Sequence, residues 1–145
     1  MAKKYTLFFD GCSKGNPGPS GIGSVIYELD ENNVWKELWA GSQFLSNTST
    51  NNQSEYNALI MGLTKALELN ISLLDVYGDS LLVIQQTNGK YKVSNTGLLP
   101  LHQKVIELKK QFQTITFSHI PREKNTRADY LSNEGLKEKS KIQTK

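Results

Sequence analysis

The chain has 145 residues, of which 37% are hydrophobic and 21% charged, and a formal net charge of +3 at pH 7. This length favours one domain that buries about two thirds of its unfolded surface, and the composition excludes pervasive disorder. No stretch is apolar enough to span a membrane, the apolar run after Lys4 is too short for a secretory signal, and a lone cysteine, Cys12, excludes an intramolecular disulfide. We therefore expect a soluble cytoplasmic protein.

The first third of the chain has the pattern of an antiparallel β-meander. Alternating and apolar runs predict strands over residues 4–10, 22–28 and 34–40. The glycines and prolines of residues 11–21 indicate a stiff turn, and the polar composition of residues 42–52 indicates a loop.

Two tryptophans mark the third predicted strand. Trp35 and Trp39 lie four residues apart. Because side chains alternate between the two faces of a strand, both should face the same side. We expect them to belong to the core or to the sheet surface, and we assign them no part in base stacking.

The remaining two thirds of the chain alternate between helical and strand patterns. The predicted elements are a helix over residues 54–69, a strand over 73–77, helices over 80–86 and 98–112, a strand over 114–119 and a helix over 125–136. This order predicts an α/β fold with a five-stranded mixed sheet, three strands antiparallel and two parallel, and helices on both faces. The domain should cover residues 1–137, and the lysine-rich residues 138–145 should form a flexible tail.

Four acidic residues stand at the ends of these elements. Asp10 ends the first strand and Asp79 follows the fourth. Glu55 and Asp129 lie in the first turns of predicted helices. Because the carboxyl ends of parallel strands meet at one edge of a sheet, these acids can converge. At 4 Å and an effective dielectric near 20, each pair would repel by roughly 4 kcal/mol, so the cluster needs a cation or an unusual proton balance. Of the two, we expect a divalent cation.

Four stretches, in this order along the chain, resemble the type 1 ribonuclease H family. They are Phe9-Asp10-Gly11 with Gly15-Asn16-Pro17-Gly18-Pro19, Thr50-Asn51-Asn52-Gln53-Ser54-Glu55, Gly78-Asp79-Ser80, and His119-Ile120-Pro121-Arg122-Glu123-Lys124-Asn125-Thr126-Arg127-Ala128-Asp129. The resemblance spans about residues 4–136 and implies a ribonuclease H-like fold. It also implies a metal-dependent endonuclease that hydrolyses the RNA strand of an RNA/DNA hybrid and leaves a 5′-phosphate and a 3′-hydroxyl.

The resemblance further assigns roles to individual residues. It implies that two Mg²⁺ ions, with Mn²⁺ as an alternative, clamp the scissile phosphate and are held by Asp10, Glu55, Asp79 and Asp129. Hard Mg²⁺ prefers such carboxylate and phosphate oxygens. His119, ten positions before Asp129, would shuttle protons or help the product leave, a task that suits imidazole. Contacts to the hybrid are implied for Asn16, Thr50, Asn51, Asn52 and Gln53.

One departure from the family concerns affinity for nucleic acid. Many members carry a basic, tryptophan-containing protrusion after the third acid, whereas residues 87–97 offer only Lys90 and Lys92 as charges. We expect any compensation to come from other cations: Lys14, Arg122, Lys124, Arg127 or the lysine-rich tail. Basic groups at these places would add phosphate contacts.

Two other functions stay open on the sequence alone. A related exonuclease or junction resolvase would share the fold, but exonucleases of that superfamily resemble an Asp-x-Glu pattern on the first strand, whereas Asp10 is followed by Gly11 and Cys12. A catalytically silent nucleic-acid-binding module would normally lack one of the acids, and none is missing. We expect a monomer, and the sequence leaves open whether it is a cellular enzyme, a phage product or an excised polymerase domain.

Overall fold

Five strands in a single sheet organise the structure, a computed structural model that describes the backbone of residues 3–143 and the side chains of residues 3–138. The strands are β1 Lys4–Ser13, β2 Gly18–Leu29, β3 Trp35–Ser49, β4 Leu73–Gly78 and β5 Thr114–His119. The helices are α1 Asn51–Glu68, α2 Leu81–Thr87, α3 Leu99–Lys109 and α4 Thr126–Gln143, and a 3₁₀ turn spans Arg122–Lys124. Every predicted strand and helix is present, although most ends differ from the predicted ones.

The sheet has the predicted mixed topology. Its strand order is β3-β2-β1-β4-β5, in which β1, β2 and β3 are antiparallel neighbours and β1, β4 and β5 are parallel. Phe9 of β1 is paired with Gly78 of β4. Since the two strands run in the same direction, the next residues, Asp10 and Asp79, emerge side by side at the carboxyl ends.

Different helices cover the two faces of the sheet. On one face α1 packs on β1 and β2, and α3 packs against α1. The core between them consists of fully buried apolar side chains, among them Leu7, Phe9, Leu59, Leu63 and Val76. On the other face α4 packs across β1, β2 and β3. The helices therefore hold β1 from both sides and fix the position of Asp10 within it.

The turn between β1 and β2 is shorter than the sequence pattern predicts. The strands stay paired as far as Ser13 and Ser20, so residues 14–17 form the turn and the prediction of a turn over residues 11–21 was wrong. Glycine in this segment serves close packing as well as turning. A Cβ on Gly11 would collide with the backbone at the start of α1, so only glycine lets β1 and α1 approach this closely.

The third strand extends well past its predicted end. The polar residues 42–52 were predicted to form a loop, but β3 continues to Ser49 in pairing with β2, and α1 begins at Asn51. This polarity reflects the position of β3 at the edge of the sheet. The Ser42 hydroxyl donates to the carbonyl oxygen of Leu131 in α4 at 2.6 Å, so polar strand residues find partners outside the sheet.

The prediction that the two tryptophans share a face was also wrong. Trp39 pairs with Ile26, but Glu37 pairs with Tyr27, so Leu38 is an extra residue at a β-bulge. A bulge shifts the alternation of side chains by one position. Trp39 therefore packs against the core on the α1 face, while Trp35 lies on the α4 face with 46% of its surface exposed.

The last helix is longer than expected. α4 continues to Gln143, past the predicted end at residue 136, so residues 138–143 of the expected tail have helical backbone. Residues 144 and 145 lie outside the described residues, and the flexibility of the tail stays a prediction. Within the part of the chain that the structure describes, no helix has both the length and the hydropathy of a membrane span.

We predict that Gly135→Ala destabilises the protein. Gly135 of α4 lies against the backbone of Gln43 in β3, where an added Cβ would stand 2.7 Å from the carbonyl carbon. Alanine normally stabilises a helix interior by about 1 kcal/mol relative to glycine. A fall in Tm would therefore have to come from the steric clash with β3. We expect a loss of about 1–3 kcal/mol in urea unfolding.

The exposed Thr64 of α1 provides a control for this substitution. Thr64→Ala should leave Tm unchanged or slightly higher, because alanine is the better helix former and nothing is displaced. A Gly135→Ala protein that melts at or above the wild-type temperature would contradict the close packing of α4 on β3.

Candidate metal and nucleic-acid site

Three carboxylates converge at the carboxyl ends of the parallel strands. Asp10, Glu55 and Asp79 each offer an oxygen, and these oxygens lie within 4.8 Å of one another. Asp10 and Asp79 reach this point because β1 and β4 are paired in parallel. Glu55 reaches it from the second turn of α1, and both Asp10 and Glu55 are only 6% exposed. The structure thus brings together three of the four acids that the sequence singled out.

The start of α1 is docked directly on β1. The backbone N–H of Gly11 donates to Oε1 of Glu55, a contact that the missing side chain of Gly11 makes sterically accessible. The Glu55 carboxylate is therefore held against the strand that carries Asp10. A backbone donor orients the carboxylate without adding a positive charge that would compete with a cation.

Burial and neighbouring negative charge disfavour the ionised forms of Asp10 and Glu55. Burial is the main cause that raises the pKa of Asp10 from 3.8 to about 7; the charges of Asp79 and Asp129 raise it further, and a hydrogen bond with Glu55 lowers it. Burial also raises the pKa of Glu55 well above its ordinary value, with the charge of Asp10 as the next cause. A rise from 3.8 to about 7 corresponds to roughly 4 kcal/mol against ionised Asp10.

The fourth acid stands at the rim of the same cleft. Asp129 lies in the first turn of α4, as predicted, and its side chain is 36% exposed. Its Oδ1 lies 3.8 Å from Nη2 of Arg122, and its charge contributes to the raised pKa of Asp10. Asp129 therefore faces the cluster, although it is not among the three carboxylates whose oxygens lie within 4.8 Å of one another.

Two polar residues that sequence reasoning did not single out contact the acids. Nδ2 of Asn125 donates to Oδ2 of Asp79 at 3.3 Å. Oγ of Ser132 lies 3.2 Å from Oδ2 of Asp10. Both residues are almost fully buried. The only available signal was their position within or just after the last family-like stretch, close to Asp129.

The predicted catalytic histidine lies beside Asp79. His119 ends β5 and is exposed, and its Nε2 donates to the backbone carbonyl oxygen of Asp79 at 3.3 Å. Gly78 and His119 are paired across β4 and β5, which explains why the imidazole reaches this carbonyl group. Nδ1 is not engaged by this hydrogen bond and is the ring nitrogen left for proton exchange.

The residues predicted to contact nucleic acid surround the start of α1. Thr50 and Gln53 form a capping box, in which Oγ1 of Thr50 accepts from the Gln53 N–H at 3.1 Å and Oε1 of Gln53 accepts from the Thr50 N–H at 2.9 Å. Oδ1 of Asn16 accepts from the Asn51 N–H at 2.8 Å. Asn51 and Asn52 are exposed and line the cleft. All five residues therefore lie within one polar patch next to Glu55.

The cations that were expected to compensate for the absent protrusion differ in position. Arg122 lines the cleft of about 490 Å³ that contains all four acids. Arg127 instead makes a two-pronged ion pair with Glu37 of β3, at 2.9 and 3.2 Å. Lys124 lines a different depression on the α4 face of the sheet. Of these three, only Arg122 lies at the acidic cluster.

The donor set fits a divalent metal ion. Carboxylate oxygens are the ligands that hard divalent cations such as Mg²⁺ prefer. Among the described residues, the three clustered acids have no lysine or arginine within ion-pair distance, so their repulsion is not offset by the protein. A cation bound here would offset this repulsion and favour the ionised forms of Asp10 and Glu55.

Comparisons with known proteins agree with these features. Residues 8–135 match the family model described as Reverse transcriptase-like. The chain is 38% identical over 133 residues to the bifunctional protein Rv2228c of Mycobacterium tuberculosis; the match covers 92% of the chain but 35% of that relative, so the chain spans about a third of its length. It is 32% identical to the Ribonuclease H of Dechloromonas aromatica, over 91% of the chain and 93% of the relative. The solved structure of LC11-RNase H1 in complex with RNA/DNA hybrid has a TM-score of 0.82 and 37% identity, with 93% and 98% of the two chains covered.

We predict that Asp10→Asn raises the Tm of the metal-free protein at pH 8 but not at pH 4. The pKa of Asp10 is about 7 in the folded protein and 3.8 in the unfolded chain. Below pH 3.8 the group is protonated in both states and does not lower the free energy of unfolding; as the pH rises from 3.8 towards about 7, it lowers that free energy progressively. The neutral amide avoids this loss, which amounts to at most about 4 kcal/mol. Thermal unfolding in EDTA across this pH range measures the difference.

The control is Glu31→Gln, an exposed acid in the turn between β2 and β3, which should follow the wild-type curve. Mg²⁺ should raise the Tm of the wild type and barely that of Asp10→Asn. If Asp10→Asn melts at or below the wild-type temperature at pH 8, the carboxylates do not repel each other as the geometry indicates.

Proposed function

The chain belongs to the reverse transcriptase-like family and, within it, to the ribonuclease H proteins, and from this premise we propose that it is an endonuclease that hydrolyses the RNA strand of RNA/DNA hybrids. The products would carry 5′-phosphate and 3′-hydroxyl ends. The observation that carries the proposal is the cluster of buried Asp10 and Glu55 with half-buried Asp79, placed where the parallel pairing of β1 and β4 ends. A relative solved together with an RNA/DNA hybrid supports the choice of substrate.

The acidic residues are proposed to hold the metal. Asp10, Glu55 and Asp79 would be the inner ligands, with Asp129 at the rim, and two Mg²⁺ ions are the proposed complement, with Mn²⁺ as an alternative. When bound, such ions supply activation of water and neutralisation of charge on phosphate oxygens. The protein's own part is to keep the carboxylates fixed, since β1, β4 and α1 are anchored in the core on either side of them.

His119 is proposed to move protons at the edge of this cluster. Its Nε2–H is held by the Asp79 carbonyl group, which fixes the ring and leaves Nδ1 to accept or deliver a proton. The imidazole is exposed, so it can exchange that proton with solvent. Its place next to the backbone of Asp79 supports a role in turnover more than in substrate binding.

Selectivity for the hybrid is proposed to come from the polar patch at the start of α1. RNA is marked by 2′-hydroxyl groups in a wide, shallow minor groove, which amide groups can contact. In Asn16 and Gln53 the side-chain oxygen is used within the protein, so Nδ2 and Nε2 are the groups to donate to the groove. Asn51 and Asn52 would add further amide contacts, and Thr50 a contact to a phosphate of the DNA strand.

The remaining features of the proposed enzyme follow from the same premise. The catalytic unit would be residues 1–137, with residues 138–145 as an appended lysine-rich segment. We propose that it acts as a monomer in the cytoplasm, where the thiol of Cys12 would stay reduced. Because the chain spans about a third of the Mycobacterium tuberculosis relative, activities of that longer protein are not carried over.

A cleavage assay tests the proposal directly. End-labelled RNA/DNA hybrid, double-stranded RNA and double-stranded DNA are incubated with the protein in Mg²⁺ and in EDTA. We expect internal cleavage of the RNA strand in the hybrid alone, only with metal. Asp10→Asn should lower kcat at least a thousandfold, which corresponds to about 4 kcal/mol in the transition state, while hybrid binding is largely kept.

Glu31→Gln again serves as the control and should cleave like the wild type. Equal cutting of double-stranded DNA would contradict the assignment of substrate. A circular hybrid-containing substrate separates the alternatives, because an exonuclease leaves circles intact. Absence of any cleavage, together with tight hybrid binding, would favour a silent binding module.

We predict that His119→Ala lowers kcat by about 10²–10⁴-fold, the usual contribution of a general acid or base, with KM for the hybrid changed little. The reason is that the ring is held at the Asp79 carbonyl group, beside the acids rather than in the polar patch. Steady-state kinetics over a pH series measure both parameters. His102, whose Nε2 contacts the backbone of Gln86 at 3.1 Å, is the control histidine. A rise in KM without a fall in kcat for His119→Ala would contradict a role in proton transfer.

A further inference from the structure

The asparagine that precedes α4 connects three parts of the acidic site. Asn125 is 1% exposed. Its Nδ2 donates to the carbonyl oxygen of Phe9 at 3.0 Å and to Oδ2 of Asp79 at 3.3 Å. Its backbone carbonyl oxygen accepts from the N–H of Asp129 at 3.1 Å. A single residue therefore connects Phe9 of β1, the acid that follows β4 and the helical turn that carries the fourth acid.

The orientation of this amide is fixed by its partners. Both the Phe9 carbonyl group and the Asp79 carboxylate accept hydrogen bonds, so only the NH₂ end of the amide can face them. The opposite end, Oδ1, is buried and has no hydrogen-bond partner among the described residues. A buried polar atom without a partner lowers stability. The amide of Asn125 therefore directs its donor end at the acidic site, although its acceptor end is left unpaired.

The donor to Asp79 is neutral, and this matters for a cation site. An arginine or lysine in the same place would orient the carboxylate but would also repel a divalent ion. The amide fixes one carboxylate oxygen of Asp79 and leaves its charge available. Outer partners of this kind hold metal ligands in one rotamer and are typically worth a factor of about 10–100 in metal affinity.

We propose that Asn125 is a positioning residue for the metal ligand Asp79: its Nδ2 holds Oδ2 and thereby directs the remaining oxygen to the cluster formed with Asp10 and Glu55. This inference deepens the proposed ribonuclease H function and rests on it. Asn125 is not itself a ligand of the metal. It acts through Asp79, and the link to Phe9 fixes the amide relative to the strand that carries Asp10.

Mg²⁺ binding to purified variants tests this role independently of cleavage. Asn125→Ala removes the side-chain hydrogen-bond donor. Asn125→Ser keeps a residue that is favoured at helix starts but carries its donor on a shorter side chain. Asn88→Ala is the control, because Nδ2 of Asn88 also donates to a strand carbonyl group, that of Phe117 at 3.0 Å, away from the acids. Isothermal titration with Mg²⁺ and the Mg²⁺ midpoint of the rise in Tm are measured for each.

We expect both Asn125 variants to bind Mg²⁺ about 10–100-fold more weakly and the Asn88 variant to bind like the wild type. In cleavage assays, kcat of the Asn125 variants should be reduced at low Mg²⁺ and recover as Mg²⁺ is raised, with KM for the hybrid unchanged. Metal-free melting curves identify which variants are folded, and Asn125→Ser decides the question if Asn125→Ala does not fold.

Wild-type Mg²⁺ midpoints in the folded Asn125 variants would overturn the positioning role. Equal weakening in Asn88→Ala would also overturn it, because the effect would then come from general loss of stability. The proposed function can fail independently of this role. If the wild type binds Mg²⁺ but leaves the hybrid intact, the proposed hydrolysis is refuted. If the wild type cleaves the hybrid and the Asn125 variants bind Mg²⁺ normally, only the role of Asn125 is refuted.

Discussion

Keeping like charges together in a place with little water is the physical demand that the rest of this structure meets. Asp10 and Glu55 are almost fully buried, and burial and neighbouring charge disfavour their ionised forms. The opposing free energy comes from the core, because strand pairing and helix packing fix the backbone positions of these acids. Gly11 contributes to this close packing, because a side chain at this position would keep α1 away from β1. Repulsion in a cluster built in this way is relieved when cations bind.

The beginning of α1 combines two tasks in the same side chains. Thr50 and Gln53 satisfy backbone groups that a helix start leaves open, and Asn16 does the same from the preceding turn. Because the amide oxygens of Asn16 and Gln53 are used inside the protein, their amide nitrogens are held in fixed directions beside the acids. Pre-arranged donors lose little entropy on binding. A substitution that weakens the start of α1 would therefore also weaken the recognition of a nucleic-acid groove.

The sequence contains enough information for the topology and for most of the acidic site, and the reason is physical. Parallel pairing of two predicted strands necessarily places Asp10 and Asp79 together, and helical spacing turns Glu55 inward. Features that depend on tertiary contacts could not be predicted. The bulge at Leu38 inverts the facing of Trp35 without any mark in the hydrophobic pattern. In the sequence, Asn125 resembles any other polar residue at the start of a predicted helix, because its importance lies in an amide contact with a distant strand and a distant acid.

The bulge has a second consequence, for solubility. β3 forms an outer edge of the sheet and is 15 residues long, and its first part exposes Trp35 and Leu38. A long, regular and apolar edge invites another chain to add a strand and begin an aggregate. The irregularity at Leu38 breaks the repeat of open N–H and C=O groups on which such an addition depends, and Lys36 and Glu37 place charges beside it. The same bulge that places the two tryptophans on opposite faces thus disfavours cross-β association.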